Sequence, residues 1–414
     1  MDLSPELRRQ IALCSRCGTC RAHCPVFGEL LEERAVARGK VQAVAALGRR
    51  ELAATKEIRE FFDLCLLCET CEAGCPNGVE VHSLVQAARE EMARARGVGI
   101  GGLVLGVLAS ARRLEAAARL LRFYQWTGAQ ALARRSGLLR ALPGQVGPRE
   151  DLVPPVELPT LARRYPGVIR PAGRPRFRVA YFTGCMSQAV MTGTGTAVIE
   201  MLLLCRAEVV LPPQACCALA IWASGQSRSA RRMAEAHIGN FLATGADAII
   251  TGCGSCGHML QRYGELCNTQ KAGEFSSKVV DVSAFLYQAG LPEPDVPVSL
   301  CITFHDSCHL RRGMGVWEEP RRLLHRIPGL VLAEMDEPDR CCGGGGAFVI
   351  THYEVARRIG RRKAKAIQAT GAQAVVTGCP GCRVQLSHAL RIHQHPLPVY
   401  HPVDLLARSY QQQG

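Results

Sequence analysis

The stretch ATGADAIITGCGSC, Ala243 to Cys256, returns 126 residues later as ATGAQAVVTGCPGC, Ala369 to Cys382. Self-similarity of this kind marks a duplicated unit. Moving upstream from each copy, Cys216–Cys217 answers Cys341–Cys342, and Cys185 answers Cys308. Two homologous halves therefore carry five cysteines each. Short β-branched runs such as RVAYFTGC, ADAIITGC and QAVVTGC end at glycine or cysteine, and alanine-rich helical patterns such as YEVARRIGRRKAKAIQA alternate with them. That alternation predicts two α/β halves with cysteines gathered at the strand ends.

A second repeat lies nearer the start. CSRCGTCRAHCP (Cys14 to Pro25) and CLLCETCEAGCP (Cys65 to Pro76) share one spacing, 51 residues apart. Around them the sequence reads as helix: Ser4 suits an N-cap with Pro5 following, and Glu29 to Leu47 is rich in Ala, Leu, Glu and Arg. The expected fold class is α+β multidomain. A small helical ferredoxin-type domain spans 1–95, a helical connector and Pro/Arg-rich linker 96–176, and the cysteine-rich halves 177–298 and 299–414.

Composition narrows the chemistry. The chain has 414 residues, 48% of them hydrophobic, enough for packed cores in about three domains. Its 21 cysteines follow an N-terminus without an apolar leader core, which favours reduced thiols, metal and a cytoplasmic location over disulfides. The most apolar run, Val98 to Ala111, is too short to span a bilayer. A formal charge of +14 falls to roughly +10 once the thiolates of two cluster sites are counted, at about −2 per site. With 5% aromatics and no interleaving of basic and aromatic residues, nucleic acid is not an expected partner. The pairs Gly193/Gly195 and Gly99/Gly101 do not complete a dinucleotide loop. Neither flavin nor NAD is expected on this chain.

C-x2-C-x2-C-x3-C-P is the spacing in which three cysteines hold one [4Fe–4S] cubane and the fourth crosses to the other. It assigns Cys14, Cys17, Cys20 and Cys75 to one cluster and Cys65, Cys68, Cys71 and Cys24 to the second. Zinc gives no reason for two such runs each ending in proline. The five-cysteine sets suit a larger cluster, because a tetrahedral ion has no place for a fifth thiolate. In CCGGGG (Cys341 to Gly346), neighbouring cysteines can take different irons while glycines let backbone N–H groups approach sulfur. His305 and His309, flanking Cys308, are candidate donors to cluster sulfur, with His258 a weaker one. Cys205, Cys267 and Cys301 belong to no spaced set and read as core residues.

Two ferredoxin runs followed by two C-xn-C-C-G-xn-C-x-x-C repeats resemble the iron–sulfur subunit of glycolate oxidase, and also the D subunit of heterodisulfide reductase. DLCLLCETCEAGCPNGV, CGSCGHMLQRYGELC and FHDSCHL carry the likeness beyond the cysteines. The resemblance implies one or two further, non-cubane clusters, at Cys185, Cys216, Cys217, Cys253 and Cys256 and at Cys308, Cys341, Cys342, Cys379 and Cys382. Ala218 departs from the glycine of C-C-G, so the second repeat is the stronger site. The family further implies an FAD-containing partner that oxidises a 2-hydroxy acid, glycolate or D-lactate, with this chain relaying electrons to a quinone or another membrane acceptor. The alternative is a heterodisulfide-reductase-like subunit that cleaves a disulfide itself. Gly102 to Leu142 interleaves Leu and Val with seven arginines, a composition for peripheral contact with the inner face of the cell membrane, for docking, or for covering the chain's own α/β halves.

Overall fold

The computed structural model describes residues 1–96, 106–136 and 146–410. Its first sheet comprises β1 (Val168–Ile169), β2 (Phe177–Phe182), β3 (Ala207–Val210), β4 (Ala248–Thr251) and β5 (Val279–Asp281), in the order β1-β3-β2-β4-β5. Only β1 runs antiparallel. The second sheet comprises β6 (Leu300–Phe304), β7 (Leu330–Leu332), β8 (Ala374–Val376) and β9 (Val399–Tyr400), all parallel, in the order β7-β6-β8-β9. With β1 set aside the two orders are identical, so the sequence duplication is a structural one. The helical pattern YEVARRIGRRKAKAIQA forms a helix over Tyr353–Ala369, as expected.

The halves share their cores. Val179, Tyr181 and Ile250 of the first sheet lie in one buried cluster with Ile302, Phe304 and Val376 of the second. Strands buried on both faces need continuous apolar runs, and FRVAYF ends in four buried residues. Because parallel strands all point one way, Cys185, Cys253, Cys308 and Cys379 emerge together beyond the carboxyl ends of β2, β4, β6 and β8.

The ferredoxin-type region packs helices Ala37–Gly48 and Val81–Arg96 over Val41, Val44, Phe62, Leu84 and Val85. Ser4 accepts from the Leu7 N–H at 3.2 Å and caps helix Pro5–Leu13. The expected helix over Glu29–Leu47 is broken: helix Phe27–Leu30 ends where Leu31 turns left-handed, and a short 3-10 turn precedes Ala37. The Lys40 ammonium holds that turn by donating to the Arg34 and Ala35 carbonyls, both at 2.7 Å.

The connector forms helices Ala111–Trp126 and Ala129–Arg135, separated at Gly128 (φ +75°). Parts of the expected amphipathic segment, 102–105 and 137–142, lie outside the described residues, as does the Gly99/Gly101 pair. The stretch read as linker is more ordered than its composition suggests. It supplies β1, and Val156 packs against Ala118 and Ala189. Gly193 starts no nucleotide loop: its N–H donates to the Glu157 carboxylate at 2.9 Å.

Candidate iron–sulfur sites

The two ferredoxin loops repeat in backbone as well as in spacing. Arg16 and Gly18 have positive φ in the first, and Leu67 and Glu69, at the same places, have it in the second. This left-handed turning curls each loop around its cysteines, at about 1 kcal/mol or more for each residue bearing a Cβ. Glu69 is held there by His258 Nε2 at 2.8 Å and Arg262 Nη1 at 3.3 Å. Burial raises the Glu69 carboxyl, but the hydrogen bond and charge of His258 outweigh it and hold the group at about 2.

Cys24, Cys65, Cys68 and Cys71 line one pocket, with Lys40 in its wall. Cys20 feels the charges of Cys14 and Cys17, and Cys71 those of Cys68, Cys65 and Cys24. Cys14, Cys20, Cys65, Cys71 and Cys75 border one apolar cluster, while Cys17 is exposed.

The ten cysteines of the halves form one train of neighbouring thiols. In the first half Cys185 meets Cys216, Cys216 meets Cys217, and Cys217 meets Cys256, which meets Cys253. In the second, Cys308 meets Cys341, Cys341 meets Cys342, and Cys342 meets Cys382, which meets Cys379. Two links are invisible in the sequence: Cys253 touches Cys379 across the halves, and Cys68 of the ferredoxin-type domain touches Cys341. Among the three leftover cysteines, Cys205 and Cys267 are buried and Cys301 is half-buried on β6.

The histidines depart from expectation. Neither His309 nor His258 donates to cysteine sulfur. His309 Nε2–H donates to the Leu67 carbonyl at 2.9 Å, so its Nδ1 accepts from the Ser255 hydroxyl at 3.0 Å. His258 stacks on it, with ring centroids 5.0 Å apart, and binds Glu69. Both pin the ferredoxin-type domain to the halves, a task spacing did not reveal. His237 was missed altogether. Burial lowers its imidazole to about 4, leaving it neutral; it accepts from the Ala215 N–H at 3.1 Å and meets the Tyr263 hydroxyl at 2.9 Å. Tyr263 in turn donates to the Cys217 carbonyl at 3.1 Å, bracing the Cys216–Cys217 segment from both sides.

The glycine run has more than one task. Gly343 donates to Cys341 Sγ at 3.4 Å with φ +86°, the backbone approach expected. At Gly345 a Cβ would stand 2.8 Å from Leu66 Cδ2 and 3.0 Å from the Leu66 carbonyl oxygen, so this glycine admits the ferredoxin-type domain.

Two lysines identify what the sites are built for. Lys40 and Lys363 are 1% and 3% exposed. The charges that act favourably on Lys40 are Cys65, Cys24 and Cys71; those on Lys363 are Cys342 and Cys341 first, then Asp339 and Glu337. Neither ammonium has a carboxylate within ion-pair distance among the described residues. A buried unpaired charge costs several kcal/mol. An anionic thiolate-bound cluster removes that cost, so donor set, cavity and countercharge all fit such a group.

These features define an iron–sulfur electron-transfer protein with a two-cluster ferredoxin-type domain and a duplicated cysteine-rich unit. Family profiles agree: "4Fe-4S dicluster domain" matches residues 10–79, "Cysteine-rich domain" 179–261 and 302–387, and "Glycolate oxidase iron-sulfur subunit, linker region" 100–152. The chain is 32% identical over 388 residues to a probable glycolate oxidase iron-sulfur subunit of Bacillus subtilis, covering 90% of this chain and 87% of that one. It is 26% identical over 390 residues to the glycolate oxidase iron-sulfur subunit of Escherichia coli, covering 91% and 90%. The chain belongs to the family of glycolate oxidase iron–sulfur subunits. In fold alone it also matches a hypothetical protein from Helicobacter pylori (TM-score 0.52, 8% identity, 99% of this chain and 74% of that one).

Proposed function

We propose that this chain is the electron relay of a flavin-dependent 2-hydroxy-acid dehydrogenase complex, accepting electrons from an FAD-bearing partner and passing them to a quinone or another membrane acceptor. Cys14, Cys17, Cys20 and Cys75 hold one cubane, and Cys65, Cys68, Cys71 and Cys24 the other. The second repeat holds a further cluster through Cys308, Cys341, Cys342, Cys379 and Cys382. Cys185, Cys216, Cys217, Cys253 and Cys256 of the first repeat form the remaining site. The observation that carries this reading is the unbroken train of thiols from the ferredoxin-type cysteines through Cys68 and Cys341 to Cys379 and Cys253. Iron–sulfur clusters pass single electrons, whereas oxidising a hydroxy acid removes two, and a flavin joins the two regimes.

Membrane contact, in this reading, is peripheral. No helix among the described residues is long and apolar enough to cross a membrane. Yet Leu120, Phe123, Trp126 and Leu132 are exposed on the connector helices, with Trp126 at 74%. Arg112, Arg113, Arg119 and Arg122 share that stretch. Only part of the helix faces inward, through Ala118 and Leu121. An apolar patch flanked by arginines suits an anionic lipid surface.

The test combines the reconstituted chain with its flavoprotein partner, glycolate or D-lactate, and a quinone. Hydroxy-acid-dependent quinone reduction should require this chain and fall at least tenfold with Cys68→Ser. Equal rates with the unmodified and Cys68→Ser chains would refute the relay. Cleavage of a disulfide by the chain with reduced viologen alone, without the flavoprotein, would instead favour disulfide chemistry.

A further inference from the structure

His305 directly follows strand β6, three residues before Cys308, and Phe182 holds the same place before Cys185 in the first half. At that position the second repeat therefore offers an imidazole and the first an apolar ring. The imidazole of His305 is wholly buried. Its Nδ1 lies 3.1 Å from the Pro338 carbonyl oxygen, which can only accept. Nδ1 thus carries the proton, and Nε2 presents a lone pair.

That Nε2 has no hydrogen-bond partner. A buried polar atom left so costs about 1–3 kcal/mol. Lys363, the cation whose charge reaches this ring, gives its hydrogen bond to the Glu337 carbonyl at 2.6 Å instead. What the ring does face is sulfur: a nitrogen of His305 lies with Cys342 Sγ and Cys382 Sγ in a trio of donor atoms all within 4.8 Å of one another, the one such trio among the described residues, and Nε2 is the ring nitrogen left without another partner. Ligands about 2.0–2.3 Å from a tetrahedral metal stand roughly 3.3–3.8 Å apart, so small side-chain adjustments would bring all three onto one iron. A thiolate bound to iron has no proton to give, which leaves the metal as the group that can satisfy the lone pair.

We propose that His305 Nε2 is an iron ligand of the second repeat's site, making it a mixed cysteine–histidine site, whereas the first repeat offers sulfur alone. The proposal rests on the reading that the second repeat holds an iron–sulfur cluster.

The test uses full-length protein reconstituted with iron and sulfide, its histidines labelled with nitrogen-15, and pulsed electron paramagnetic resonance of the reduced state. One strongly coupled nitrogen is expected, absent from H305C, which keeps its iron because thiolate replaces imidazole. Iron content of Cys342→Ser checks the underlying reading separately: if neither iron nor spectrum changes, no cluster resides there, and that reading fails. If Cys342→Ser does lose a cluster, yet the labelled protein shows only the weak coupling of a hydrogen-bonded imidazole, His305 is not a ligand. A strong coupling that persists in H305C overturns the proposal equally. Should H305C fail to fold, a strongly coupled nitrogen in the parent that vanishes in Cys342→Ser still supports it, and a weak coupling there still sinks it.

Discussion

At Ala218 the chain keeps a left-handed backbone, φ +65°, where the C-C-G motif has glycine. An L side chain there costs about 1–2 kcal/mol. Ala218→Gly should therefore stabilise the protein by roughly 0.5–1 kcal/mol, read as a higher denaturant midpoint with unchanged iron content. A lower midpoint would show that the buried methyl contributes more through packing than the strain costs. Lys40 invites the complementary experiment. Its ammonium sits buried beside Cys65, Cys24 and Cys71, and a cation there favours the reduced, more negative cluster. Lys40→Met should lower that cubane's reduction potential by on the order of 60 mV, a factor of ten in a one-electron equilibrium. An unchanged potential in an electron paramagnetic resonance titration would remove Lys40 as the countercharge. The candidate cysteines were legible in sequence because iron chemistry favours a fixed spacing. The lysines were not, since one buried lysine looks like any other until its neighbours are known.

Elements meet along the seam between the ferredoxin-type domain and the halves. The Arg89 guanidinium donates to the carbonyls of Phe62, Cys65 and Ala223 at 2.9, 2.6 and 2.9 Å, and Gln86 donates to the Trp222 carbonyl at 2.6 Å. Gly225, at φ +84°, lets helix Val81–Arg96 approach so closely that an added Cβ would meet the Arg89 carbonyl. Gly225→Ala combines a clash with backbone strain and should weaken docking by about 2 kcal/mol or more. Electron transfer from the ferredoxin-type clusters to the second repeat should slow in stopped-flow mixing while iron content stays constant; an unaltered rate would mean this contact does not set the distance between them. Strands and the helix Tyr353–Ala369 could be read beforehand because their periodicity is local. The break at Leu31 and the strand β1 could not, because the first depends on Lys40 reaching back to two carbonyls and the second on a partner, β3, some forty residues away. The same limit hid the tasks of His258, His309 and Glu69, which are defined only across domains.

For the whole molecule, the duplicated α/β unit places two cysteine sets face to face and the ferredoxin-type domain against one of them. The expected order is the cubane of Cys14, Cys17, Cys20 and Cys75, then that of Cys24, Cys65, Cys68 and Cys71, then the second repeat, then the first. On the connector, the exposed Phe123 and Trp126 predict membrane attachment. Phe123→Ser with Trp126→Glu should cut sedimentation with anionic vesicles at low salt at least threefold, whereas equal sedimentation would assign attachment to another surface. Central to the account is the junction where Cys68 meets Cys341. Electron paramagnetic resonance of the fully reduced, reconstituted protein tests it most directly. Two centres this close should show spin–spin broadening of the second cubane's signal, relieved in Cys342→Ser, which keeps both cubanes but loses the second repeat's cluster. A sharp cubane signal, identical in the parent and in Cys342→Ser protein, would contradict a continuous relay through this chain.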